Sequence, residues 1–101
     1  MYYPAHVKVF RWDGEKNERL KRQRGVSFEA VVLSIAGGGL LDILEHPNPT
    51  RYPDQKLFVV RIGAYAYLVP FVETADEVIL KTIIPSRKAT RAYLPEEAAD
   101  E

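Results

Sequence analysis

The sequence predicts an α+β domain: an N-terminal strand and two helices, followed by an antiparallel sheet of three to four strands and a short C-terminal helix. Two observations carry this. Residues 5–12 alternate as a strand does and three apolar runs bounded by short turns follow residue 55, whereas 14–24 carries helix-cap and dipole-ordered charge signals and 28–35 an apolar stripe at helical spacing. Turn-forming pairs separate the later runs by too few residues for crossover helices, so those strands read as a meander.

Residues 5–12 (AHVKVFRW) set Val7, Val9 and Arg11 on one side and Lys8, Phe10 and Trp12 on the other, as a first strand does. Asp13 is an N-cap for a helix over 14–24. Glu15 and Glu18 lie in its opening turns, and Lys21, Arg22 and Arg24 crowd its end before Gly25, so the charges follow the helix dipole. Leu20 is its one large apolar residue, which predicts a surface helix. Ser27 caps a second helix whose Phe28, Val31, Val32 and Ile35 form a single apolar stripe toward the core.

Gly37, Gly38 and Gly39 end that helix. A phosphate-cradling loop requires a strand before the glycines and a Lys-Ser or Lys-Thr pair opening a helix after them; neither is present, so the glycines read as a flexible connector. LLDILEH is a candidate short strand. PNPTRYPD, with three prolines in eight residues, predicts an exposed loop with little regular hydrogen bonding and a mobile tip.

Three strands follow at Lys56–Ile62, Tyr65–Glu73 and Val78–Ile84. Pro70 falls inside the second of them and has no N–H to donate, so its strand either has a free edge there or is bulged. Arg87–Leu94 predicts a closing helical piece. Residues 96–101 read as an acidic flexible tail appended to a single domain over 1–95.

A chain of 101 residues is long enough for one core without staples. It has no cysteine, and its two histidines, His6 and His46, lack metal-ligand spacing, so no cofactor or metal is expected. No apolar run approaches the roughly 18 residues that span a bilayer, and MYYPAHVKVF lacks a signal peptide's layout, so a cytoplasmic protein is expected. Basic and acidic residues number 14 each, but four carboxylates occupy the last six positions. That leaves 14 cations against 10 acids over residues 1–95, a mildly basic body compatible with RNA.

FRWD at 10–13, RQRGVSFEA at 22–30 and IIPSRKATRAY at 83–93 resemble the BrnT family of bacterial type II toxins, in the order and approximate spacing the family uses, over about a third of the chain. The resemblance implies a RelE-like fold, metal-independent RNA cleavage, inhibition of translation, and neutralisation in a hetero-oligomer by a BrnA-like antitoxin whose ribbon-helix-helix part binds operator DNA. Arg87, in the Ile83–Ala89 block, is the best carry-over to an RNA-facing role, with Lys88 beside it. The family's arginine near Thr82 and its Glu-Arg at Glu73-Thr74 are not retained, which favours a second reading: a toxin-fold protein without catalysis, acting as binding partner or corepressor of its antitoxin.

Such cleavage uses the 2′-hydroxyl as nucleophile, so the protein removes a proton and stabilises a phosphate gaining charge. Alternation puts Arg61 on one face with Leu57 and Val59, and Lys81 on one face with Ile79 and Ile83, so the two cations are expected to converge on one groove. Arg61 and Arg87 suit bidentate phosphate binding, and Lys81 supplies a point charge or a base. Glu73, at a strand end, is a candidate proton acceptor or arginine orienter, and His46 a candidate acid or base. Lys88, Arg91, Lys56 and Arg24 complete the expected RNA-binding set. Lys21 and Arg22 extend the basic helix end, and Tyr65 and Tyr67 share a strand face suited either to stacking on bases or to cross-strand packing. The plain alternative for each cation is a solvated charge at a sheet edge or helix start.

Overall fold

The computed structural model describes residues 8–98. Strand β1 (Val9–Arg11) leads into α1 (Gly14–Arg24) and α2 (Phe28–Ala36). Both helix starts are fixed locally. The Asp13 carboxylate accepts from the Glu15 and Lys16 amides, and the Ser27 hydroxyl accepts from the Ala30 amide. Gly25 closes α1 at φ 68°, a left-handed conformation that favours glycine, and donates to the Lys21 carbonyl. Residues 5–7 of the expected first strand, Val7 among them, lie outside the described residues, as do 99–101 of the acidic tail.

The chain continues through β2 (Leu40–Glu45), β3 (Gln55–Ile62), β4 (Tyr65–Glu73), β5 (Glu77–Leu80), β6 (Ile84–Pro85), α3 (Arg87–Tyr93) and α4 (Pro95–Ala98). The strands form one sheet ordered β1-β5-β4-β3-β2, with β6 also on β4. Every pairing is antiparallel except β1 with β5, which is parallel. Since β1 and β2 occupy opposite edges, α1 and α2 carry the chain from one edge of the sheet to the other across one face.

That face holds the main core. Leu20, Val26, Phe28 and Val31 of the helical side pack on Phe58, Val60, Val69, Phe71, Val78, Leu80 and Ile83 of the sheet. The expected α2 stripe is complete, since Val32 and Ile35 join the same cluster. Phe10 and Trp12, two apart on β1's side of the chain, also lie against it, and Trp12 stacks on Phe28 at 5.7 Å between ring centres. Phe58 and Phe71 stack diagonally across β3 and β4 at 3.8 Å. The opposite face carries only a small cluster, Val59, Ala66, Ala89 and Leu94, flanked by Leu41, Leu68 and Tyr93.

Several expectations are refined. The sheet has six strands, because LLDILE does form β2 and the last meander strand is split. Leu80 pairs with Phe71 but Ile84 pairs with Leu68, so four steps along one strand face three along the other and a residue bulges out over 81–83. Ile83 therefore joins Val78 and Leu80 in the main core instead of sharing a face with Ile79 and Lys81. Gly37–Gly39 form a hydrogen-bonded turn, with amides donating to the Leu33, Ile35 and Ser34 carbonyls. A Cβ at Gly39 would lie 2.0 Å from Ser34 Oγ, so only glycine fits that approach. The proline-rich loop holds turn bonds, Tyr52 amide to Asn48 carbonyl and Gln55 amide to Tyr52 carbonyl. Pro95 starts a helical turn where a frayed end was expected.

Candidate nucleic-acid interface

Helix α3 is held on its face of the sheet by directional bonds. Ser86 caps it by accepting from the Ala89 amide at 3.0 Å, and the Ser86 amide donates to the Ala66 carbonyl at 3.0 Å. Thr90, 1% exposed, accepts from the Ala66 amide at 2.9 Å and donates to the Ser86 carbonyl at 2.8 Å. Tyr93 donates its phenolic proton to Asp42 Oδ2 at 2.6 Å. A bulge in β2 between Leu40 and Asp42 turns Asp42 onto this side, opposite Val59. The bond holds the Asp42 carboxyl below its ordinary value and raises the Tyr93 phenol.

This anchoring fixes where Arg87 and Arg91 stand. They are one turn apart on α3, both exposed, with neither on the side that packs against Ala66 and Val59. Arg24, the last residue of α1, reaches the same edge from the other face: its Nη1 donates to the Ile83 carbonyl at 2.5 Å. Lys81, exposed, directly follows the last residue of β5, and its amide donates to the Pro70 carbonyl at 2.8 Å. Arg24 is thereby pinned within the stretch that begins at Lys81 and ends at Arg87. Residues 78–95 contain four cations and no carboxylate. Among the described residues, none of Arg24, Lys81, Arg87, Lys88 and Arg91 forms an ion pair.

The remaining expected site residues lie elsewhere. Arg61 is on the α3 side of the sheet, but at the other end of the helix: it donates from Nε to the Gly63 carbonyl at 2.9 Å and borders a hollow with Tyr93, Leu94, Pro95 and Glu96. Seven residues at about 1.5 Å each put about 10 Å of helix between the two ends, and helical side chains tilt toward the N-terminus, which carries the Arg87 guanidinium further away. Arg61 and Lys81 share none of the cavities described for the molecule.

Glu73 pairs with Lys8 Nζ at 2.8 Å and lines a cavity of about 440 Å³ with Lys56, Glu45 and Asp54. With Glu73 taken up by Lys8, the carboxylates of Glu45 and Asp54 still outnumber the Lys56 ammonium at that cavity, which disfavours phosphate. His46 accepts from the Asn48 amide through Nδ1 at 3.0 Å, and its ring lies 4.5 Å from Tyr52. Lys88 borders an apolar groove with Leu44, Leu57, Leu68, Ala92 and Tyr93. Tyr67, paired with Val60 of β3, packs on the main core, and Tyr65, two residues before it on the same strand, lies edge-on to it at 5.8 Å. Lys21 is paired with Glu18 at 3.0 Å, a contact that raises its pKa.

Sequence reasoning missed Asn17, Thr90 and the Asp42–Tyr93 bond. Asn17, 3% exposed, accepts from the Phe28 amide at 2.8 Å and donates to Glu29 Oε1 at 2.7 Å, locking the start of α2 onto α1 and lowering the Glu29 pKa. The one available signal was Thr90 standing four residues after the Ser86 cap. Among the described residues no three His, Asp or Glu side chains gather to hold a metal ion, and no helix is long and apolar enough to cross a membrane. Compared with protein-family models, curated proteins and solved structures, the chain matches none.

Proposed function

We propose that the chain is a BrnT-type toxin with a RelE-like arrangement, acting in the cytoplasm as a metal-independent endoribonuclease that grips the RNA backbone along the edge formed by Arg24, Lys81, Arg87 and Arg91. The observation that carries this reading is the Arg24 bond to the Ile83 carbonyl, which adds a cation from α1 to an 18-residue stretch that holds four cations and no acid. Guanidiniums on a bonded scaffold bind phosphate without the ordering cost of free side chains. In this reading the antitoxin is BrnA-like and reaches operator DNA itself, and unopposed toxin cleaves RNA and halts translation.

The second reading, a binding partner without catalysis, is favoured by one observation: Arg61, His46 and Glu73 stand apart from the cationic edge. Purified protein mixed with labelled single-stranded RNA in chelator separates the two. Shortened products together with retarded bands support the toxin; intact RNA, retarded or not, ends the ribonuclease reading and supports the partner. Arg87→Ala and Arg91→Ala are expected each to lower the slope of log affinity against log salt by about 0.7, one phosphate contact on a single strand, while moving stability by less than about 0.5 kcal/mol.

A further inference from the structure

We infer that Pro70, buried under the α3 side of the sheet, is the positioning residue that creates this cationic edge; the inference rests on the RNA-binding reading only for its functional consequence. The Thr74 amide donates to Glu77 and the Lys81 amide donates to Pro70, so along β4 and β5 the hydrogen-bonding positions are Thr74 with Glu77, Val72 with Ile79, and Pro70 with Lys81. Pro70 accepts its bond and, lacking an N–H, cannot return one. In an unbroken ladder the next such pair would be Leu68 with Ile83, and both backbone groups of Ile83 would face β4. Instead Leu68 meets Ile84, Ile83 sits in the bulge, and its carbonyl accepts from the Arg24 guanidinium. Strand β1 has already ended at Arg11, opposite Ile79, so among the described residues no strand pairs with the outer edge at this point.

The missing donor at Pro70 thus has two effects at one place. It turns the Ile83 side chain into the main core, where it is fully buried, and it frees a carbonyl that draws Arg24 between Lys81 and Arg87. A residue with an N–H at position 70 restores the return bond to Lys81 and pulls the two strands back toward an unbroken register.

Pro70→Val tests this, with Pro70→Ala as the second variant should the larger side chain prevent folding. Arginine side-chain NMR on the full chain reads the Arg24 Nη1 hydrogens, the donors to the Ile83 carbonyl, directly. The expected result is a bonded, slowly exchanging signal in the native protein that moves to the free-arginine position in the variant, as though Ile83 had been lost as acceptor. An unchanged Arg24 signal in a folded variant overturns the inference whatever happens with RNA. With single-stranded RNA, the salt slope of Pro70→Val is expected to fall by about 0.7, matching Arg24→Ala, and the double variant to show no further fall. Additive losses overturn the positioning role. Failure of the native protein to bind RNA sinks the proposed function instead, and the NMR result still decides what Pro70 does.

Discussion

The two faces of the sheet are held by different physics. On the α1/α2 face eleven buried apolar residues interlock around Phe28 and Ile83, and burial is the main force that places the helices, with side-chain bonds from Arg24 to the Ile83 carbonyl and from Ser34 to the Arg61 carbonyl at its margins. On the α3 face the buried cluster has four members, two of them alanines, and the helix is placed by Ser86, Thr90 and Tyr93 bonding to β4 and β2. Apolar burial tolerates small slips; hydrogen bonds fix a helix to within a fraction of an ångström. The directional face is the one that carries Arg87 and Arg91, two cations of the proposed RNA-binding edge.

Substitutions on each face sharpen this contrast. Phe28→Ala has the largest expected effect, a loss of about 3–5 kcal/mol from a fully buried ring that also stacks on Trp12; denaturant melts would measure it, and the protein that remains folded should keep its RNA affinity. Thr90→Val keeps the shape but leaves the Ala66 amide without its acceptor, at a cost of about 1–3 kcal/mol. Because α3 then loses its seat, RNA affinity should drop more steeply with stability than it does for Phe28→Ala. Equal RNA losses per kcal/mol in both variants would erase the distinction between the faces.

Tyr93→Phe gives the smallest effect and the clearest pH signature. The Asp42 pKa is depressed, so its contribution is full above the ordinary carboxyl value of 3.8 and disappears as pH falls through the folded value. The Tyr93 pKa is raised, so its contribution is full below 10.0 and disappears as pH rises through the folded value. The difference in thermal midpoint between native and Tyr93→Phe protein should therefore be widest between those limits and close at both ends. A difference independent of pH would show that the phenol acts through packing alone.

What was legible in the sequence is what neighbouring residues decide. Asp13, Gly25 and Ser27 mark the ends of α1 and the start of α2 because each bonds within four residues of itself. The α2 stripe and the β3 and β4 alternation follow from helical and strand periods, and both read correctly. The Pro70 irregularity was legible as a choice between free edge and bulge, since a missing N–H forces one or the other. Its form was not, because the bulge sits on the partner strand.

The sequence by itself determined the α+β composition, the caps, the apolar faces and the cation-rich, acid-free run from 78 to 95. Only the tertiary structure decided which cations meet. Arg24 and Ile83 are 59 residues apart, and Asp42 and Tyr93 are 51 apart. A one-residue bulge reverses which face a side chain takes and which way its carbonyl points. Local chemistry fixes elements, but register across a sheet depends on every hydrogen bond made or withheld between distant strands, and that is where Arg24 was brought in and Arg61 was left out.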